Sequence, residues 1–257
     1  MKNKKKEIKT DSKNCMLLDE NAPFAVKESF GLLRTNIIYT HTEGEGAPVF
    51  GITSAEEGAG KSTIIANLGL SFAQIEKKVL IIDADMRCPR QNAFFGYNKE
   101  AVGLSEILVG MVADKSETIF KTPNGYLDII PSGHIPPNPS ELILSTRFAE
   151  LINELKSEYD FIFIDFPPVG VVADALSVVS LMSGYIFVIR ANVSDYVRVS
   201  EIIENFENVK ANISGIVLSD VNLKEGIFAS KYKRSGYSKY GRYGKYSKYS
   251  NYNKNKN

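Results

Sequence analysis

Six short apolar runs, with helical patterns between them, leave this chain few folds to choose from. They are "VFGIT" (Val49–Thr53), "VLIID" (Val79–Asp83), "LDII" (Leu127–Ile130), "FIFID" (Phe161–Asp165), "YIFVI" (Tyr185–Ile189) and "ISGIVL" (Ile213–Leu218). A strand with one wet face alternates polar and apolar residues; a strand covered on both faces does not. The intervening segments can do the covering. Ile64, Ile65, Leu68, Phe72 and Ile75 recur at helical spacing after the first run, and Phe148, Leu151, Ile152 and Leu155 form a second stripe. The expected architecture is α/β, a mostly parallel sheet flanked by helices. Ahead of it, "FAVKESFGLLRTNIIY" sets Val26, Phe30, Leu33 and Ile37 on one helix face, and "THTEGEGAP" ends that helix with two glycines and a proline.

Composition sets the limits of this domain. The 257 residues are 44% hydrophobic and 24% charged, enough for one α/β domain with a large core. Residues 1–22 are polar and read as a flexible lead, 23–228 as the folded domain, and 229–257 as a disordered tail with no aliphatic residue beyond Ala229. No run of about 18 apolar residues predicts a membrane span, and the lysine-rich start lacks the apolar stretch of a signal peptide. Two cysteines, Cys15 and Cys88, make no disulfide framework, which points to a cytoplasmic setting. His41 and His134 stand far apart, without a zinc pattern.

The tail divides the charge. The chain carries 31 Lys/Arg against 30 Asp/Glu, a net +1. Residues 231–257 hold nine of the cations and no acid, so the remainder is 22 − 30 = −8. Tyr237, Tyr240, Tyr243, Tyr246, Tyr249 and Tyr252 follow one another at every third position, with Tyr232 just ahead.

Ligands of parallel sheets bind beyond the carboxyl ends of the strands, and three of the runs end in chemistry. The first leads into "SAEEGAGKST" (Ser54–Thr63), which resembles a P-loop with Ala55 at the usual first glycine. Glu57, Gly58, Ala59, Gly60, Lys61, Ser62 and Thr63 would cradle phosphates with backbone N–H groups and the start of a helix. Lys61 would reach the β and γ phosphates of ATP, and the Ser62 hydroxyl would take Mg²⁺. The second run ends in "IIDADMR", with Asp83 and Asp85, and the fourth in "FIDFPP", with Asp165. A carboxylate behind four apolar residues is costly to bury without a cation; Mg²⁺ at Ser62 would supply one, which makes Asp165 a metal residue.

"SAEEGAGKST", "IIDADMR" and "FIFIDFPP" together resemble the Walker A, A′ and B motifs of bacterial tyrosine kinases (BY-kinases) of capsular and exopolysaccharide export. "PSGHIPPNPSELI" (Pro131–Ile143), "KESFGLLRTNI" and the tyrosine-rich end resemble further stretches of that family. The resemblance implies a P-loop NTPase-like fold and an ATP-dependent tyrosine autokinase. In it Lys61, Asp83, Asp85 and Asp165 form the catalytic set, Ser62, Asp83 and Asp165 organise Mg²⁺, and Asp83, with Asp85, accepts the tyrosine proton. It also implies that Tyr232, Tyr237, Tyr240, Tyr243, Tyr246, Tyr249 and Tyr252 are phosphosites used in trans. The partners it implies are a cognate phosphatase and a separate transmembrane activator that recruits the cytoplasmic kinase to the inner face of the membrane. Glu28 and Arg34 belong to its subunit-joining helix motif, but Gly31 replaces the first arginine, so a homo-oligomeric ring is expected to be weakened.

Two alternatives remain at this point. A positioning or partitioning ATPase of the deviant P-loop class would carry a lysine where this chain has Glu56. A basic, aromatic tail can also bind single-stranded nucleic acid; beside a phosphate-binding domain the phosphoacceptor reading is the more consistent, and no nucleic acid partner is expected. Ser219 stands where the family pattern has an asparagine, so no adenine contact is assigned there.

Overall fold

The computed structural model describes residues 17–40, 46–112 and 114–221. The six apolar runs are strands, and a short seventh joins them: β1 (Val49–Ser54), β2 (Val79–Asp83), β3 (Phe120–Lys121), β4 (Leu127–Ile130), β5 (Phe161–Asp165), β6 (Gly184–Arg190) and β7 (Ile213–Ser219). The helices are α1 (Phe24–Thr40), α2 (Lys61–Ala73), α3 (Gln91–Phe95), α4 (Leu104–Val109), α5 (Pro139–Ile143), α6 (Thr146–Leu155), α7 (Asp174–Ser177) and α8 (Tyr196–Asn208). One sheet holds all seven strands in the order β3-β4-β2-β5-β1-β6-β7. Every pairing is parallel except β3 with β4. The sequence pattern did not anticipate β3, because two residues are too few to show a period; it exists through its edge pairing, Phe120 opposite Ile129.

Successive side chains of a strand face opposite sides, so each inner strand feeds two cores. Ile37 of α1 and Ile65, Leu68 and Phe72 of α2 pack on Phe50, Ile52, Ile81 and Phe163. Leu104, Phe148, Ile152, Leu155, Ile202 and Phe206 pack on the other face, against Leu80, Ile82, Ile162 and Ile164. Helix α2 lies close to the sheet at Gly69, where an added Cβ would come within 2.8 Å of Ile81 Cδ1. Ser145 caps α6 by accepting from the Phe148 N–H at 3.3 Å, and Asp195 caps α8 by accepting from the Arg198 N–H at 2.9 Å.

Three expectations change. Ile75 falls beyond the end of α2 and is half exposed, because Glu76 turns the chain with φ 60°. The outer strand β7 leaves Ile216 and Leu218 half exposed among the described residues, so its apolar run is not covered like those of the inner strands. Within residues 17–22, expected in the flexible lead, Leu18 and Ala22 are buried in a cluster with Phe30, and the Leu18 N–H donates to Asn67 Oδ1 at 2.6 Å. The tail assigned to 229–257 lies outside the described residues.

Phe72 joins the P-loop helix to the sheet, its ring 4.4 Å from that of Phe161 and 5.4 Å from that of Phe163. Phe72→Ala is expected to destabilise the fold by about 3–5 kcal/mol. Urea unfolding should show a lower midpoint at unchanged slope.

Candidate active site

The strand that ends at Ser54 cannot continue, because the loop after it needs left-handed backbone. Gly58 has φ 72° and Gly60, the residue before α2, φ 94°, values glycine adopts without strain. Beyond it, α2 opens with Lys61, which is buried, and with Ser62 and Thr63, which are half-buried; Glu57 is exposed. Two hydroxyls brace the loop on the β6/β7 side. Ser219 Oγ donates to the Ala59 carbonyl at 2.6 Å, and the Ser194 hydroxyl meets the Glu56 carboxylate. Ser219 therefore holds the phosphate loop itself. Glu56 brings an acid, bound within its own chain, to the position where the deviant P-loop ATPases carry a lysine.

Strand register brings the acids together. Asp83 and Asp165, 82 residues apart in sequence, are direct partners across the β2–β5 ladder. Both are fully buried, and each keeps one oxygen, Oδ1, without a hydrogen-bond partner. Burial pushes the Asp83 carboxyl well above the ordinary carboxylate range, and the neighbouring charge of Asp165 adds to the rise. Burial likewise raises Asp165, against the pull of the Lys61 ammonium and hydrogen bonds from Gln91 and Ser62. Asp85 is raised by burial too, with Lys61 opposing. Lys61, Ser62, Asp83, Asp85 and Asp165 thus converge on one edge of the sheet.

Further residues gather at this edge, and Gln91, Asp174 and Tyr97 among them lie outside the motifs read from the sequence. Gln91 is fully buried and its amide donates to Asp165 Oδ2 at 2.7 Å. Arg87, two residues beyond Asp85, bridges to Asp174 Oδ2 at 2.6 Å and donates to Ser140 Oγ at 2.8 Å, while Ser140 Oγ donates to Asp174 Oδ1 at 2.6 Å. The "PNPSEL" stretch is therefore tied to the loop after β2. Tyr97 is held protonated by burial and by the nearby charges of Asp83 and Asp165. Beside it a cavity of about 330 Å³ is lined by Pro89, Asn92, Lys99, Ser132, His134 and Ile135. A similar cavity of about 360 Å³ lies around Lys115, Arg147 and Glu154, away from the strand ends. Its lysine is already paired with Glu154 and Glu158.

The residues present suit a hard dication. Two unpartnered, buried carboxylate oxygens beside a hydroxyl are oxygen donors of the kind Mg²⁺ takes. Among the described residues no three or more His, Cys, Asp and Glu are placed to hold a metal ion by themselves. Such a partial set matches Mg²⁺, which keeps waters and shares phosphate oxygens.

The AAA domain family matches residues 48–223. The tyrosine-protein kinase CpsD of Streptococcus agalactiae is 36% identical over 196 residues, 76% of this chain and 84% of that protein. The chain belongs to the bacterial tyrosine-kinase family. Solved relatives of this family share the fold. The chimerical protein CapA2B2 superposes with a TM-score of 0.70 at 38% identity, over 74% of this chain and 83% of that one. The kinase domain of the Escherichia coli tyrosine kinase ETK does so with 0.70 at 30% identity, over 78% and 79%. No described helix of this kinase is long and apolar enough to cross a membrane.

The raised carboxyls make a pH prediction. Between the unfolded carboxylate value and the higher native values of Asp83 and Asp165, the native state binds more protons than the unfolded state. Their contribution to stability is therefore full at low pH and lost as pH rises through the native values. In EDTA, Asp83→Asn should raise the melting temperature at neutral pH and flatten its fall between mildly acidic and neutral pH. Thermal melts of both proteins across that range are the check.

Proposed function

We propose that this kinase transfers the γ-phosphoryl group of ATP to the tyrosines of its own C-terminal segment, one copy acting on another. The kinase assignment itself follows from the family; the acceptor and the residue roles are our reading. The observation that carries it is the pairing of buried Asp83 with Asp165 beside Lys61 and Ser62, at the end of a glycine-rich loop. A phosphoryl-transfer site needs alignment, charge neutralisation and a proton acceptor, and these residues divide that work. The loop from Glu57 to Thr63 holds the phosphates through its N–H groups, and Lys61 neutralises their charge. Ser62, Asp83 and Asp165 would hold Mg²⁺, which supplies positive charge to the transferring group. Asp83, with Asp85 beside it, takes the proton from the incoming phenol.

The acceptor reading rests on sequence: seven tyrosines at or near a three-residue repeat, among nine cations, follow an acidic body. Opposite charge favours loading one copy's segment onto another copy. Assembly would use α1, where Glu28 is exposed and Arg34 is half-buried. Arg34 donates to the Ser71 carbonyl at 2.5 Å and to its hydroxyl at 2.9 Å, which fixes that side chain against α2. The wider role we assign is control of capsular or exopolysaccharide synthesis and export. A separate transmembrane activator at the inner membrane face would switch the kinase on, and a cognate phosphatase would reset it.

Lys61→Met should abolish phosphotyrosine formation and leave the circular dichroism spectrum unchanged. Mixed with wild type, the same variant should acquire phosphate on Tyr232–Tyr252, which phosphopeptide mass spectrometry reads directly; an unlabelled variant in that mixture excludes transfer between copies. Asp83→Asn should slow transfer by about 10²–10⁴-fold while metal-free ATP affinity stays within a few fold. Equal losses in rate and affinity would place the proton acceptor elsewhere.

A further inference from the structure

We propose that Gln91 is a positioning residue of the metal site. It fixes Asp165 so that its free oxygen faces the metal, and it offers its own amide oxygen to a metal-bound water. The proposal deepens the phosphoryl-transfer reading above and rests on it for the identity of the guest.

Gln91 opens α3 and is 0% exposed. It touches all three elements of the site. Its backbone N–H donates to Asp83 Oδ2 at 3.3 Å, and its Nε2 donates to Asp165 Oδ2 at 2.7 Å and to the Ser62 carbonyl at 3.3 Å. The orientation of the amide follows from chemistry. A carboxylate and a carbonyl only accept, so the NH₂ end must face them. The oxygen is thereby turned the other way, and it is buried with no partner.

Gln91 Oε1, Asp83 Oδ1 and Asp165 Oδ1 are three of only four buried side-chain polar atoms left without a partner among the described residues; the fourth, Ser105 Oγ, sits on α4. With both carboxyls ionised, as metal ligands would be, all three of the former are acceptors, and no rearrangement within the trio can satisfy them. A hydrated dication satisfies all of them together: it meets the carboxylates with positive charge and the amide oxygen with the O–H of a bound water. One Asp165 oxygen is already occupied by the Gln91 amide, so the other is the one available. Groups that orient metal ligands in this way typically change metal affinity by about 10–100-fold when removed.

The test reads metal binding and leaves phosphotransfer aside. Free Mn²⁺ is measured by electron paramagnetic resonance in titrations of the full chain with ADP, alongside ADP affinity and melting temperature in EDTA. Gln91→Met keeps length and loses both polar ends; Gln91→Asn keeps the amide but is one methylene too short to reach. Both are expected to weaken Mn²⁺ binding with ADP by about 10–100-fold and to leave metal-free ADP affinity unchanged. Wild-type Mn²⁺ affinity in either folded variant overturns the proposal. So does a parallel fall of Mn²⁺ and metal-free ADP affinity, or loss of the folded dichroism spectrum in both variants, since either makes Gln91 a general structural residue. In a separate assay with ATP and the activator supplied, a wild type that binds Mn²⁺ with ADP but transfers no phosphate would sink the phosphoryl-transfer reading while leaving the Mn²⁺ result standing. A wild type that binds no Mn²⁺ with ADP would sink both.

Discussion

Two carboxylates are sealed side by side at the ends of neighbouring strands, and the rest of the site answers to that fact. Burying one unpaired charge is costly, and a second like charge beside it adds repulsion. Asp83 and Asp165 accept both penalties, with hydrogen bonds from Gln91 and Ser62 and the charge of Lys61 offsetting them in part. The oxygens that remain unpartnered face a problem that protein groups at this edge do not solve. A cation with its phosphates would solve it, and the cost of burying the pair would then favour binding such a guest.

Such an arrangement works only if the loops beneath it hold their positions. The loop after β2 is held by Arg87, whose guanidinium is fixed by Asp174 and Ser140. Asp174 is 2% exposed, and both of its oxygens are occupied, by Arg87 and by Ser140. An ion pair with its carboxylate buried and satisfied in this way fixes geometry more than it adds stability. The stretch after β4 is fixed in turn by Glu106, which accepts from the Gly103 N–H at 2.7 Å and the His134 N–H at 3.1 Å. Burial works against that carboxylate's charge, but these donors outweigh it and hold it below the ordinary range. On the other side, Ser219 and Ser194 brace the phosphate loop. Carboxylates, loop and braces thus form one rigid edge built from segments far apart in the chain.

Much of this was legible in the residues. The apolar runs are strands because unbroken hydrophobic segments need cover on both faces, and the inner ones have it. The glycine-rich loop was legible because left-handed backbone at Gly58 and Gly60 is a local demand that only certain residues meet. Where reading failed, the reason is equally specific. Strand β3 is two residues long and has no period of its own. Leu18 looked like part of a polar lead, yet it packs against α1 and α2 through contacts no local pattern encodes.

The sequence by itself determined the α/β class, the phosphate loop, the two acidic strand ends and the repeating tyrosines, because each is written in a few consecutive residues. Only the tertiary structure decided that Asp83 meets Asp165, that Gln91 lies between them, and that Arg87 is tied to Asp174. These pairings join residues up to 87 positions apart. They depend on strand order and register, which are set by how two whole cores close around the sheet, and no short stretch of chain carries that information.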